Sequence, residues 1–170
     1  MNRQNASAAP RLLLLAVSVA GLGWSTSGFA ATYDTFMKID GVPGESVDRL
    51  HPGEIKLTSY SQNFGTRNCS RVVATKTLDS ASPLLISRAA GNVWIPSVVI
   101  SLHDPRAISK LDFFVATLTS VLIERIDLAD QNGQLVEQIV LRPRSIKIEY
   151  LPLDPSGSYG APVVTSVDCI

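Results

Sequence analysis

The side chains able to do chemistry are few and scattered. The 170 residues include two histidines, two cysteines and fifteen carboxylates. His51 sits in the turn-like Leu50-His51-Pro52-Gly53, and His103 precedes Asp104-Pro105. A zinc site needs ligands whose helical or hairpin spacing brings them together, and two histidines at unrelated positions show none, so no metal is expected. A serine hydrolase would need a nucleophile in a strained Gly-x-Ser-x-Gly turn, and none occurs. Gly41-Val42-Pro43-Gly44-Glu45-Ser46 places a serine and a glutamate among glycines, but those glycines read as turn formers after a strand. A phosphate-binding Gly-Lys-Ser/Thr is absent. Paired carboxylates of the glycosidase kind meet only in space, so sequence leaves them open. The chain therefore reads as a non-enzyme without a cofactor.

Cys69 and Cys169 stand 100 positions apart. In an oxidising compartment they are candidates for an intramolecular disulfide, which would pin the C-terminal tail to a turn at Asn68-Cys69-Ser70. Two free buried thiols or an intermolecular bridge are the alternatives.

Export is suggested by the first 30 residues. Arg3 and Arg11 form a positive n-region, Leu12 to Gly23 a short apolar h-region, and Gly28-Phe29-Ala30 a small-residue cleavage site. A retained membrane anchor would need a longer apolar run, and a wrongly placed start codon would not explain three regions in proper order. Cleavage after Ala30 leaves 140 residues, one domain spanning 31–170, secreted or periplasmic and with no membrane span. That segment carries 13 basic and 15 acidic residues. Its basic residues are spread out, which argues against a nucleic-acid partner. The one cluster, Arg142-Pro143-Arg144 with Lys147, reads as a solvated strand edge.

Period-two apolar runs separated by Gly, Pro, Asn and Asp predict an antiparallel β protein. Strands are expected over 35–40, 54–63, 71–78, 94–103, 111–128 and 134–151, with a weaker one over 163–167. Ser82-Pro83, followed by Leu84 to Ala90 and Gly91, predicts one short helix capped by Ser82. Asn132-Gly133 predicts a tight hairpin between the two longest strands. The apolar parity changes across Pro143, which calls for a bulge or bend there and favours a small two-sheet barrel over a flat sandwich. The 111–128 strand is apolar on both faces, with Phe114, Leu118 and Leu122 on one and Phe113, Val115, Val121 and Ile123 on the other. Such a strand is central to a layered core, or one face is covered by another subunit.

Several of these segments resemble the Hcp family of type VI secretion proteins. Thr35-Phe36-Met37-Lys38-Ile39-Asp40 followed by Gly41-Val42-Pro43-Gly44-Glu45-Ser46 is similar to that family's opening Phe-x-Lys-Ile strand and Gly-Glu-Ser turn, and His51 continues it in register. Lys76 to Leu85, containing Asp79, Ser82 and Pro83, resembles the segment that leads into the family's single helix. The resemblance implies a two-sheet β-barrel with one helix and no catalytic residues. It further implies hexameric rings that stack into a tube, with itself, secretion components or effector proteins as partners. Two features depart from the pattern. Family members lack a cleavable signal, and many carry a long Gly-rich loop where this chain has only the brief run from Phe64 to Ser70. The expectation is an exported Hcp-like structural protein that forms rings. A monomeric binding module is the alternative, and an envelope hydrolase or secreted toxin comes third.

Overall fold

A computed structural model describes residues 33–65, 68–105, 111–154 and 158–169. The expected signal peptide, residues 1–30, lies outside the described residues. Among those described, the elements run β1 (Asp34–Ile39), β2 (Ile55–Leu57), β3 (Ser59–Gly65), β4 (Asn68–Thr77), α1 (Ser82–Ala90), β5 (Ile95–His103), β6 (Asp112–Gln131), β7 (Gln134–Arg142), β8 (Ser145–Tyr150) and β9 (Val163–Asp168). All the ladders are antiparallel. The fold is mainly β with one short helix, as the period-two pattern predicts.

The architecture turns on β6. Its first half lies between β5 and β8, with Leu118 opposite both Val98 and Ile146. Its second half, from Leu122 onward, pairs with β7. Between the halves Ser120 takes a φ of 49°, and the register slips between Ile123 and Arg125. An irregularity of this kind bends a strand, and here it carries β6 from one sheet into the other. One sheet is β2-β1-β5-β6-β8-β9 and the other β6-β7-β4-β3.

The core lies between the sheets. Met37, Ile39 and Ile100 come from one sheet, Val72, Ala74, Ile139 and Leu141 from the other, and Leu85 reaches in from α1. Burying one such side chain contributes about 1.5–3 kcal/mol. Val121, Leu122 and Ile123 are consecutive and all buried, so at this crossing both faces of β6 are covered by the chain itself. A partner subunit is not needed there. Phe113, Phe114 and Val115, earlier in the strand, remain half-buried.

Three expected elements differ in detail. The 54–63 strand is two strands, because the Thr58 amide donates instead to the Thr75 carbonyl at 2.7 Å and turns the chain from one sheet to the other. The 134–151 strand is also two. Pro143 has no amide to give, and the next amide, of Arg144, donates to the Thr119 and Ser120 carbonyls at 3.0 and 3.1 Å. β7 and β8 thereby fall on opposite halves of β6, which is why the apolar parity changes. Ser82 does not cap α1: the cap position is Ala81, and Ser82 begins the helix with its hydroxyl turned to other partners. The Asn-Gly hairpin forms as expected, with Asn132 at φ 57° and Gly133 at φ 81°.

Candidate functional site

Three groupings of side chains could carry function: a buried ion network, a histidine cluster and an apolar end of the sheets.

Lys76 and Glu137 face each other across the β4–β7 ladder. Each lies on the buried parity of its strand, Lys76 with Val72 and Ala74, Glu137 with Ile139 and Leu141. Both are fully buried, and their Nζ and Oε2 are 2.7 Å apart. Lys76 also reaches Asp79 Oδ1 at 2.7 Å and Ser82 Oγ at 3.0 Å, so its three donors are used. The Ser82 hydroxyl donates to Glu137 Oε2 at 2.7 Å and accepts from the Asp79 amide at 3.1 Å. Asp79 Oδ1 in turn accepts from the Ala81 amide at 2.9 Å. The network ties two strands to the first turn of α1, where Pro83 needs no amide partner.

The loop from Gly41 to Glu54 is fastened at both ends. Gly41 has a φ of 72°. The Gly44 amide donates to the Gly53 carbonyl at 2.8 Å and the Ser46 amide to the Glu54 carbonyl at 3.0 Å. Glu45 accepts from the Ser80 amide at 2.9 Å, which docks the loop beside the ion network. A Cβ on Gly44 would stand 2.3 Å from the Glu54 carbonyl oxygen, and that neighbour is backbone. Gly44→Ala should therefore cost on the order of 1–3 kcal/mol, read as a lowered denaturant midpoint with an unchanged slope.

His51 ends this loop on the core. Its ring stacks on Phe36 with centroids 4.2 Å apart and planes 13° from parallel. Both nitrogens meet carboxylates: Nδ1 is 3.0 Å from Glu54 Oε2, and Nε2 is 2.9 Å from Asp112 Oδ1. His103 stands opposite Asp112 in the β5–β6 ladder, its Nδ1 3.6 Å from the same Asp112 oxygen and 3.3 Å from the Leu111 carbonyl. The Leu50 amide donates to Asp48 at 2.8 Å and holds that carboxyl below its usual range. The expectation that the two histidines are unrelated is thus corrected. β1–β5 pairing and the His51–Phe36 stack bring them to 6.0 Å between ring centroids.

The apolar end lies where β8 finishes at Tyr150, opposite Phe114 near the start of β6. Tyr33, Phe113, Tyr150, Leu151, Leu153 and Tyr159, with Asp104 at the wall, line a cleft of about 180 Å³. Tyr33 and Phe113 meet edge to face at 5.8 Å. Val163, opposite Tyr150 in the β8–β9 ladder, is 63% exposed, and Tyr150 is 45% exposed.

Cys69 and Cys169 form a disulfide, and the Cys169 amide donates to the Arg144 carbonyl at 2.7 Å. Lys38 is exposed on β1, whereas Ile39 is in the core. The basic cluster near Pro143 is exposed but partnered: Arg142 with Glu124 at 3.1 Å, Lys147 with Glu149 at 3.1 Å, and Arg144 over the Trp94 ring.

A family model described as "Type VI secretion system effector, Hcp" matches residues 36–150, more than half of the chain. The chain belongs to the Hcp family. Protein hcp1 of Pseudomonas aeruginosa is 24% identical over 147 residues, covering 76% of this chain and 91% of that protein. Among solved structures, Hcp1 from Salmonella typhimurium superposes with a TM-score of 0.72 at 25% identity, covering 81% of this chain and 94% of its own. A type VI secretion system effector from Yersinia pestis gives 0.70 at 26% identity, covering 79% and 99%. The span matched to Hcp includes the ion network, Gly44 and the histidine cluster. It excludes Tyr33, β9 and Cys169, so the second half of the disulfide lies outside it.

Nothing in the sequence joins Glu54, His103 and Asp112: His103 and Asp112 meet through sheet pairing, and Glu54 joins them through His51. Lys76 and Glu137 did leave a signal: a lysine and a glutamate each on the apolar parity of its own strand.

Proposed function

We propose that this Hcp family member is an exported structural protein whose mature segment, residues 31–170, assembles with copies of itself into rings, as the family resemblance implies, and acts without catalysis. Residues 1–30 would be removed as a signal peptide, placing the protein in the periplasm or outside the cell. The secretion apparatus and its effector proteins are then its further partners. The observation that carries the assembly reading is the apolar end of the sheets, where Tyr33, Tyr150 and Leu153 are between 43% and 58% exposed around one cleft and Val163, across the ladder from Tyr150, is 63% exposed. Exposed aromatic and aliphatic side chains gathered beside a sheet edge suit a protein interface.

Tyr150→Arg tests this reading. A charge at an exposed position should change monomer stability by no more than about 0.5 kcal/mol, whereas at a subunit interface it breaks the assembly. Sedimentation velocity should show the wild-type protein as an oligomer and Tyr150→Arg as a monomer with an unchanged melting curve. A wild-type protein that sediments as a single chain would overturn the reading.

A monomeric binding module is favoured by one feature. Gly65 pairs with Asn68, so only residues 66 and 67 connect β3 to β4, where many family members carry the loop implicated in ring stacking. The same sedimentation experiment separates the two readings.

A further inference from the structure

The histidine cluster is left unused by an assembly role, and its donor chemistry is specific. We propose that His51, His103 and Asp112 bind one divalent transition-metal ion of the zinc class. The inference is independent of ring formation.

One coordinating atom from each residue lies within 4.8 Å of the others. Zinc bonds of about 2.0–2.1 Å in a tetrahedron put neighbouring ligand atoms about 3.3–3.4 Å apart. The His51–Asp112 and His103–Asp112 separations, 2.9 and 3.6 Å, lie on either side of that value. The ligands sit on fixed supports. His103 and Asp112 are paired across a ladder, and His51 is clamped on Phe36. Two nitrogens and one carboxylate oxygen suit zinc, copper or nickel better than magnesium or calcium, which take oxygen ligands. Asp112 is 21% exposed at its side chain, which gives an ion a way in and leaves room for a fourth, non-protein ligand.

The hydrogen bonds point the same way. His51 is buried with a carboxylate on each nitrogen. A neutral imidazole has one N–H, and given to Glu54 it leaves the Nε2 lone pair facing Asp112 Oδ1, acceptor against acceptor. A cation in that gap turns the opposed acceptors into ligands. A carboxylate on the far nitrogen of a metal-bound histidine is the usual orienting partner, and Glu54 is placed for it. A proton in the gap leaves His103 with the Leu111 carbonyl at 3.3 Å as its own partner, and uptake of zinc by the chain separates the two readings.

Titration calorimetry of the purified oxidised chain with zinc tests the site, with cobalt(II) visible absorption as a second readout. The expected result is one ion per chain at tens of micromolar or below. Glu54→Gln should weaken binding by about 10–100-fold, and His103→Ala and Asp112→Asn should weaken it further. Metal-free melting curves identify any variant that fails to fold, and using two ligand variants keeps the test open if one does. No uptake by the wild-type chain, as for a cluster that holds only a proton, would overturn the proposal. So would uptake unchanged in both His103→Ala and Asp112→Asn.

Discussion

Lys76→Met should lower the unfolding free energy by about 3–5 kcal/mol, because it removes one partner of a buried ion pair and leaves the other charge in the core. Glu137 is fully buried with Lys76 and Ser82 as its partners, and its Oε1 has no protein donor among the described residues. Methionine fills much of the lysine's volume, so the loss reads as electrostatics and hydrogen bonding more than as a cavity. The double variant Lys76→Met/Glu137→Leu removes both charges and should regain most of that loss, since replacing a whole buried pair with apolar residues is often neutral. Equilibrium urea unfolding of the wild type, the single variant and the double variant decides the matter. A single variant within about 1 kcal/mol of wild type would show the network to be incidental.

The disulfide should matter almost as much. Closing a loop between residues 100 apart restricts the unfolded chain, and on the chain-entropy model that contributes about 4–5 kcal/mol. A domain of this size has about 5–15 kcal/mol in all. Cys69→Ser/Cys169→Ser, or reduction of the wild type, should therefore shift the unfolding midpoint well down. The effect should also be local. Most of β9 is exposed and, among the described residues, its one ladder partner is β8, so the covalent tie adds a strong restraint on this segment. Hydrogen exchange of the Val163–Asp168 amides should speed up in the double serine variant before the core amides of β5 and β6 respond. Uniform exchange in the two forms would contradict this.

Much of the fold was legible because its strands obey one rule. β4 alternates and β5 nearly so, and the expected bounds of β1, β4, β5 and β9 fall within a few residues of the observed ones. The illegible points are those where tertiary geometry overrides the local pattern. At Thr58 and just after Pro143, at Arg144, the chain bends out of one ladder and into another, and the apolar pattern alone does not mark where it leaves one sheet for the other. Ser82 looked like a helix cap because Ser-Pro is a common start, but a buried lysine and glutamate claimed its hydroxyl first. The histidine cluster was the least accessible of all. His51 is 61 positions from Asp112 and lies in a loop, so no strand or helix period relates them. The resemblance to Hcp picked out Phe36, Gly44, Glu45, His51, Asp79 and Ser82 without saying why. Phe36 holds the ring of His51, Gly44 makes room for the Glu54 carbonyl, Glu45 receives the Ser80 amide, and Asp79 and Ser82 complete the coordination of Lys76.

On the proposed reading this Hcp family member acts through its outer surfaces, and its mass in solution reports on that directly. Multi-angle light scattering of the oxidised mature protein over a micromolar dilution series should return about six times the chain mass, the closed ring that the family resemblance implies. A single-chain mass at every concentration would contradict the account.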